Sequence, residues 1–470
     1  MRLCCRHDCL YRRMTIYFVA GEVSADNHGA ALMRSLGELD PKLKFIGRGG
    51  PQMQEIADNQ FKNWIGDAAV LGLWEVLRKY GYFREQFRET IKEILESKSD
   101  AVVLIDYPGF NLRLARALQR QSRRPKIIYY ISPQVWAWNR GRIKRMARCI
   151  DLVLCIFPFE ADLYNESGLR AIFVGHPMIE RLQASKLDGE RDPNLIGLFP
   201  GSRLREARKI FPVMIETARL LLQSNPTLRF QVAAASDELA REMSQMLNPH
   251  LYPLPLAKGE ETTQAPNESQ PILAREGMTR TSLPSLRGEG RVRSEASQNP
   301  EVIQIKIGET TALMQRAFIG VVASGSATLE AAYFRMPFVL IYKVAVPTYL
   351  AARLVVSVKY LGMPNLLAGK EVVPEFIQHR AKPAAIAEAV QLLMEDARAR
   401  ERMISEFDAI VGRLQGATVS PGTSVAAGEG GCPPERSADR PSLMGKSRAS
   451  QRAAQVIVEE IRRSIPKGFN

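Results

Sequence analysis

Short apolar runs, each followed by a turn rich in Gly, Ser, Asp or Pro and then by helical spacing, recur along this chain. Fully apolar strands are typical of parallel sheets covered by helices on both faces, so the pattern predicts a doubly wound α/β protein. The pattern starts again after the charged stretch 186–193, which predicts two Rossmann-like domains facing a central cleft. The predicted strands are residues 15–20, 44–47, 101–105, 126–131, 152–156, 171–174, 195–199, 230–234 and 302–305.

The same pattern sets the expected domain boundaries. Residues 14–185 and 194–414 are predicted to form an N-terminal and a C-terminal domain, and residues 449–470 a C-terminal helix. The tracts 256–300 and 415–448 lack a hydrophobic period and are too long for ordinary loops, so we expect disordered insertions, with a role as linkers or partner motifs left open. Because Met14 directly precedes the first strand, residues 1–13 are interpreted as an extension upstream of the true start.

The net charge of +14 predicts an anionic partner: nucleic acid, a phosphorylated substrate or an acidic membrane surface. No nucleic-acid-binding signature is present, so nucleic acid is not expected. No stretch reaches the roughly 18 uncharged apolar residues of a spanning helix, and the opening segment lacks the apolar core of a signal peptide. The six cysteines suggest neither a disulfide framework nor a metal site, which fits a reducing cytosol.

The stretch 321–337 (VVASGSATLEAAYFRMP) is typical of a strand end, a tight polar turn and the start of a helix. Free N–H groups of the new helix, serine hydroxyls and a glycine that admits close approach favour phosphate binding. Glu330, one turn into the helix, is placed to reach a sugar hydroxyl. An ordinary corner with Ser as the helix N-cap is the alternative. The candidate binding residues are Ser324, Gly325, Ser326, Thr328 and Glu330.

A second loop, FPGSR at residues 199–203, offers the same chemistry. Gly201 permits close backbone approach, Ser202 supplies a hydroxyl, and Arg203 can contact two phosphate oxygens at once. Inside a closed cleft, such groups would stabilise a leaving diphosphate without a metal ion. The sequence indicates no metal site and no bound cofactor, and it lacks the GxxxxGK[ST] motif of a triphosphate-binding loop.

Asp106 follows the predicted strand 101–105 in the segment IDYPGFN. Ligands bind at the carboxyl ends of strands in open α/β sheets, so Asp106 is a candidate general base. It would face a nucleotide-diphosphate-sugar site in the C-terminal half. A turn-forming Asp before Pro-Gly is the alternative.

Residues 69–83 (AVLGLWEVLRKYGYF) combine apolar and basic side chains and predict an amphipathic helix. It either faces the core or forms a surface that meets acyl chains and lipid headgroups. The segment SPQVWAWNRGRIKRM places two tryptophans beside several basic residues. These tryptophans either cover a ligand or form a packed corner.

Several longer motifs occur together, in the order GEVSADNHGA, DYPGFN, SPQVWAW, VGHPMIERL, FPGSR, SGSATLEAAYFRMPFVLIYK and PNLLAGKEVVPEFIQ. In these motifs the chain resembles the lipid-A-disaccharide synthase family from Met14 to about Leu414, and again over the last helix. The resemblance implies an inverting, metal-independent glycosyltransferase with the GT-B fold. It implies transfer of 2,3-diacylglucosamine from UDP-2,3-diacylglucosamine to 2,3-diacylglucosamine 1-phosphate. The products would be UDP and the β-1,6-linked lipid A disaccharide 1-phosphate.

The resemblance also implies roles for individual residues. Asp106 would deprotonate the acceptor 6-hydroxyl, and Glu22 and Arg203 complete the expected catalytic set. Glu22 and Ser24, in the first loop, would face acceptor or donor, and Glu330 would hold the ribose. The other residues expected to bind the UDP-sugar are Gly201, Ser202, Ser324, Gly325, Ser326, Thr328, Asn365 and Gln378.

A cytoplasmic protein, peripheral on the anionic cytoplasmic face of a Gram-negative inner membrane, would suit these acidic diacylated substrates. Formation of a homodimer is left open by the sequence. In one position the chain departs from the family, whose first loop reads GExSGD, because Ala25 replaces the second glycine. If that position requires a positive φ, the methyl group costs roughly 1 kcal/mol, and we expect altered acceptor geometry.

Two alternatives remain at this point. Another GT-B enzyme that uses a UDP-sugar, such as the peptidoglycan N-acetylglucosaminyltransferase or a UDP-sugar 2-epimerase, is not expected to carry both DYPGFN and SPQVWAW. A catalytically idle lipid-binding scaffold would tolerate the loss of Asp106, Arg203 and Glu330, so their joint presence argues against it.

Overall fold

The computed structural model describes residues 13–57, 60–68, 80–138, 141–247, 303–345, 347, 349, 353, 358–416 and 448–464. Within them the chain forms two α/β domains, each built on a parallel sheet, which confirms the predicted fold class. The tract 256–300, nearly all of 415–448 and of 1–13, and residues 69–79 of the predicted amphipathic segment lie outside the described residues. The boundaries predicted there stay predictions.

The first sheet contains β1 (Thr15–Ala20), β2 (Lys44–Gly49), β3 (Phe61–Asn63), β4 (Ala101–Ile105), β5 (Lys126–Tyr130), β6 (Leu152–Cys155) and β7 (Ala171–Phe173). All neighbouring strands pair in parallel, in the order β3-β2-β1-β4-β5-β6-β7. The strands predicted here are all present, and β3 was not predicted. The side chains of β1, β2, β4, β5 and β6 are almost all buried because helices cover both faces of the sheet.

The second sheet contains β8 (Asp192–Phe199), β9 (Arg229–Ala234), β10 (Ile303–Ile307), β11 (Ala317–Ala323), β12 (Phe338–Tyr342) and β13 (Glu375–Ile377). Its order is β10-β9-β8-β11-β12-β13, again with parallel pairing throughout. The strand order therefore reverses between β8 and β11, as it reverses between β1 and β4 in the first sheet.

The helices of the first domain are α1 (Val23–Leu39), α2 (Pro51–Ile56), α3 (Ile65–Ala68), α4 (Tyr80–Glu96), α5 (Pro108–Gln119), α6 (Val135–Trp138), α7 (Gly141–Met146) and α8 (Pro158–Glu166), and α9 (Met178–Ala184) lies between β7 and β8, at the boundary of the two domains. Those that follow are α10 (Leu204–Ser224), α11 (Asp237–Leu247), α12 (Thr310–Arg316), α13 (Ala327–Tyr333), α14 (Met363–Ala368), α15 (Pro383–Glu395), α16 (Ala397–Leu414) and α17 (Ala449–Ser464), with a 3-10 turn at Gln378–Arg380.

Helix α17 belongs to the first domain, although it comes last in the chain. It packs against α1, and its apolar face, including Ala453, Ile457 and Ile461, is buried in the core of the first sheet. The Arg452 side chain donates a hydrogen bond to the carbonyl of Val174. The chain therefore returns from the second domain to complete the first.

Helix α1 begins earlier than the sequence pattern suggested. The helical spacing after the first loop predicts a helix over residues 28–36, whereas α1 starts at Val23 with Glu22 as its N-cap. Ala25 lies in the first turn, is buried, and is not among the described residues with positive φ. The condition for strain at Ala25, a positive φ, is therefore not met, and a right-handed helical position suits alanine better than any other residue.

Arg48 attaches helix α4 to the first sheet. Its fully buried guanidinium lies 2.7 Å from Glu93 and 3.1 Å from Glu89, and it donates to the side-chain amide of Gln86. Tyr17 also donates to Glu93, at 2.6 Å. Burial by itself would raise the pKa of Glu93, but hydrogen bonds, first from Arg48, lower the pKa overall. Helix α4, which follows residues 69–79, is thus held by a charged network beneath it.

Arg48→Met keeps the aliphatic stem but removes the guanidinium, so Glu93 loses its buried partner. We expect the free energy of unfolding to fall by about 3 kcal/mol, measured by urea denaturation. Lys92→Met, on the same helix, is the matched control, because the Lys92 side chain is 73% exposed and pairs only at the surface. The control should change stability by less than about 0.5 kcal/mol. Equal effects of the two substitutions would contradict this role for Arg48.

Candidate functional site

The reversal of strand order brings the predicted functional residues to two crevices. At the carboxyl edge of the first sheet, the chain leaves β1 at Gly21 and β4 at Asp106 in opposite directions. At the same edge of the second sheet, residues 200–203 follow β8 and residues 324–326 follow β11. Ligands of open α/β sheets bind at such points. The candidate base and both candidate phosphate loops therefore occupy the expected positions.

Asp106 and Tyr107 have φ values of 46° and 48°, two consecutive left-handed residues that are not glycine. Such residues cost about 1–3 kcal/mol each and persist only where the surroundings hold them. The Asp106 carbonyl accepts hydrogen bonds from the Tyr129 hydroxyl at 2.5 Å and from the Asn111 amide at 2.7 Å, and both donors are fully buried. Helix α5 then begins at Pro108, because the fixed φ of proline suits a first helical position.

The carboxyl group of Asp106 is less acidic than an ordinary aspartate. Burial, together with the nearby charge of Glu22, raises the pKa of Asp106 to about 6. A carboxylate with such a pKa is ionised at neutral pH and is a stronger base than a solvated one. The structure thus brings Glu22 and Asp106 into electrostatic contact, from loops that the sequence separates widely.

The other residues of the first loop divide into exposed and structural ones. Glu22 and Ser24 are exposed at the start of α1. Asp26 is buried, and its carboxylate accepts hydrogen bonds from the backbone N–H groups of Gly50, Gln52 and Met53. Asp26 therefore caps helix α2, whereas Glu22 and Ser24 remain accessible to a ligand.

The FPGSR loop leaves β8 through a left-handed glycine and ends at helix α10. Gly201 has a φ of 101°, a value that favours glycine, and Ser202 is exposed. Arg203 precedes the first turn of α10, with a side chain that is 79% exposed. Its guanidinium lies 3.1 Å from Glu206, three residues further along the helix. Such an exposed pair is weak, so Arg203 can exchange Glu206 for an anionic ligand.

The SGSAT turn is similar, with one difference from the prediction. Gly325 has a φ of 154°, and Gly325 and Ser326 are exposed, while Ser324 is half-buried and its N–H donates to the carbonyl of Ile341. Thr328 is fully buried, and its hydroxyl donates to the carbonyl of Gly325 at 2.7 Å. Thr328 therefore stabilises the turn.

Glu330 is mostly buried on α13, and one of its oxygens, Oε1, lies 2.7 Å from the Arg181 guanidinium of α9. This contact joins residues on either side of the boundary between the two sheets. Sequence reasoning placed Glu330 near a ribose but did not identify Arg181.

Asn365 and Gln378 hold backbone segments near β12 and β13. Asn365 is fully buried, and its side chain bonds to the backbone of Val372 and Val373 and to Glu375. The Gln378 side chain makes two hydrogen bonds with the backbone of Val344. Both side chains therefore fix the backbone around β12 and β13.

Three residues of this region were missed by sequence reasoning. Asn111 is the last residue of the DYPGFN motif, so the motif itself was a signal for it. Arg181 lies in VGHPMIERL, which was noted only for the resemblance. Tyr129 belongs to the buried strand β5, where an aromatic residue is ordinary, so no local signal marked it.

Comparison with known proteins agrees with these observations. The model of a family described as lipid-A-disaccharide synthetase matches residues 16–277 and 287–416. Proteins named lipid-A-disaccharide synthase from Trichlorobacter lovleyi and Acidobacterium capsulatum are 35% and 34% identical to this chain. The alignments cover 82% and 88% of this chain, and 89% and 94% of those proteins.

A solved structure shares the fold. A Listeria monocytogenes protein named as a UDP-N-acetylglucosamine 2-epimerase has a TM-score of 0.50 at 10% sequence identity. The comparison covers 84% of this chain and 91% of that chain. At this identity the likeness shows the two-domain α/β architecture alone.

The raised pKa of Asp106 has a consequence for stability. Since its pKa of about 6 in the folded protein exceeds the ordinary 3.8, the folded state binds the proton more tightly than the unfolded chain. Stability should therefore fall as the pH rises through this window. Asp106→Asn should raise the free energy of unfolding by roughly 1–3 kcal/mol at pH 8 and leave it nearly unchanged at pH 4.

Urea denaturation at both pH values measures this difference. Glu22→Gln should give a smaller increase at pH 8, because the Glu22 charge is the lesser of the two causes. An effect of Asp106→Asn that is equal at pH 4 and pH 8 would show that the gain does not come from the carboxylate charge.

Proposed function

The chain belongs to the lipid-A-disaccharide synthase family and is a glycosyltransferase of lipid A biosynthesis, and we propose that its chemistry takes place between the two crevices. It transfers 2,3-diacylglucosamine from UDP-2,3-diacylglucosamine to 2,3-diacylglucosamine 1-phosphate. The observation that supports this site most directly is the position of Asp106, held in a strained conformation at the switch point of the first sheet.

In this proposal Asp106 accepts the proton of the acceptor 6-hydroxyl as that oxygen attacks the anomeric carbon of the donor. The bond between this carbon and the diphosphate breaks, and UDP leaves with the bonding electrons. Attack from the face opposite the diphosphate inverts the configuration and gives the β-1,6 linkage. A positioned base of this kind contributes about 10²–10⁴-fold to the rate. Glu22 assists by raising the pKa, and hence the basicity, of Asp106.

The loops of the second crevice bind the UDP portion. Arg203 leaves Glu206 and contacts the diphosphate, which receives further hydrogen bonds from Ser202 and the backbone at Gly201. These groups stabilise the charge that develops on the leaving diphosphate, so the mechanism requires no metal ion.

The second phosphate loop and the ribose contact complete the nucleotide site. Ser324, Gly325 and Ser326 supply backbone N–H groups and hydroxyls, and Thr328 holds their turn. Glu330 accepts hydrogen bonds from the ribose. Asn365 and Gln378 act by fixing the backbone that borders the nucleotide.

The enzyme works on the cytoplasmic face of the inner membrane, held to anionic lipids at the surface. Arg113 and Arg116 are exposed on α5 and Arg120 is exposed directly after it, and Lys144 and Arg145 are exposed on α7. Both helices therefore present basic side chains to solvent. Within the described ranges, no helix is long and apolar enough to cross a membrane.

A transfer assay in EDTA tests the reaction, with disaccharide formation and UDP release as the expected result. Asp106→Ala should reduce transfer by at least about 10²-fold and retain UDP binding, because it removes the base but not the nucleotide site.

Arg203→Ala should weaken UDP binding by about tenfold, measured by calorimetry. Arg208→Ala, on the same helix and paired with Glu242, is the control.

The two variants are judged separately. Unchanged turnover of Asp106→Ala would remove Asp106 from the role of base, and unchanged UDP affinity of Arg203→Ala would remove its phosphate contact. UDP binding without transfer by the wild-type protein would favour a different acceptor or the idle scaffold.

Co-sedimentation with vesicles that contain anionic phospholipid tests the membrane contact. Replacing Arg113, Arg116 and Arg120 together by Gln should weaken binding by tenfold or more at low salt, since each surface cation contributes about 1 kcal/mol. A matched variant removes three exposed arginines elsewhere, Arg219, Arg241 and Arg402. Equal loss of binding in both variants would show a dependence on net charge and not on this face.

A further inference from the structure

The contact between Arg181 and Glu330 lies where the chain passes from the first domain to the second. Helix α9, which carries Arg181, precedes β8, and it packs against α13, which carries Glu330. The Arg181 Nη2 and Glu330 Oε1 atoms are 2.7 Å apart, although the two residues are 149 positions apart in sequence. Arginine therefore reaches the candidate ribose-binding carboxylate from outside the second domain's own sheet.

Helix α9 is a firm support for this side chain. Met178, Ile179 and Leu182 are buried in the core of the second domain. On the other side, the Glu180 carboxylate accepts hydrogen bonds from the backbone N–H and the hydroxyl of Ser450, at the start of α17. Apolar packing and these bonds fix the helix, so the direction from which Arg181 approaches Glu330 is set by the fold.

Two histidines lie close enough to sense the charge of Arg181. Burial, with a contribution from Arg181, lowers the pKa of His28 on α1 to about 4. Burial and the charges of His28 and Arg181 lower the pKa of His176, which precedes α9, to about 3. Both imidazoles are uncharged near pH 7, so Arg181 carries the positive charge of this group of side chains.

The Glu330 carboxylate retains acceptor capacity beyond this contact. Among the described residues, Arg181 bonds to Oε1, and no hydrogen bond to Oε2 is formed. A carboxylate offers about four lone-pair positions, so one arginine leaves room for two hydroxyl donors. The two adjacent hydroxyls of a ribose are donors of the matching kind, and a fixed carboxylate loses less freedom when it binds them.

We propose that Arg181 is a positioning residue for ribose recognition, which holds Glu330 so that its free oxygen faces the 2′- and 3′-hydroxyls of the nucleotide. This inference rests on the proposed function, in which Glu330 contacts the ribose. It adds that the discrimination between ribose and a sugar without these hydroxyls depends on a residue of the interdomain segment.

Calorimetric titration with UDP and with 2′,3′-dideoxyuridine diphosphate tests the role of Arg181. Wild-type protein should bind UDP at least about tenfold more tightly than the dideoxy nucleotide, because hydrogen bonds to a charged group are lost. Arg181→Gln should weaken UDP binding by about tenfold and change the affinity for the dideoxy nucleotide by less than about twofold. Arg181→Lys should restore part of the preference, since a cation again faces Glu330.

Two further variants separate the possible outcomes. Lys186→Gln removes an exposed cation just beyond α9 and should leave both affinities unchanged. Glu330→Gln should abolish the preference for UDP. If Glu330→Gln does so and Arg181→Gln does not, Arg181 has no positioning role and the proposed nucleotide site stands.

Equal weakening of both nucleotides by Arg181→Gln would show a general structural effect and would overturn the inference. Absence of UDP binding by the wild-type protein, or equal affinity for the two nucleotides, would overturn the proposed ribose contact itself. The dideoxy nucleotide also serves as the folding control, because its binding requires an intact site but not the ribose hydroxyls.

Discussion

The parallel pairing of β1 with β4 and of β8 with β11 decides where this protein can hold a substrate. Parallel neighbours cannot be joined by a tight turn, so helices must cross over to one face or the other. At these two pairs the crossovers leave in opposite directions and open a crevice at the carboxyl edge. Glu22 and Asp106 border one crevice, and the loops at Gly201 and Gly325 border the other. The candidate chemistry therefore depends first on this arrangement of strands, and only then on individual side chains.

Within the first crevice, backbone strain and burial act together on Asp106. Its left-handed conformation is held by hydrogen bonds to its carbonyl from the buried Tyr129 and Asn111. The same enclosed surroundings oppose ionisation and raise the pKa of the carboxyl group. Folding stability is therefore lost at the residue where basicity is gained, as is common at functional sites.

Helix α9 links the two domains by side-chain contacts as well as through the polypeptide chain. Adjacent residues on it, Glu180 and Arg181, contact α17 of the first domain and Glu330 of the second. The segment that completes the first core and the carboxylate assigned to the nucleotide are therefore tied to one short helix. In the proposed nucleotide site, recognition of the ribose therefore involves the boundary between the domains.

Local sequence was sufficient for most of the strands, though not for β3, β12 or β13. It was also sufficient for the two-domain architecture and for the segments that carry Asp106, Arg203 and Glu330, because apolar runs and turn residues act over a few positions. It was insufficient for the start of α1, since its first turn includes residues that are equally common in loops. It also could not show that the side-chain amide of Asn365 forms hydrogen bonds with the backbone of Val372 and Val373.

The sequence by itself determined the succession of most strands and helices along the chain, and the motifs at their ends. Only the tertiary structure decided which motifs meet: Arg48 under α4, Tyr129 on the Asp106 carbonyl, and Arg181 against Glu330. The physical reason is that hydrophobic period reports which face of an element is buried. It carries no information on which distant polar group will satisfy another, and that choice is made when the chain packs.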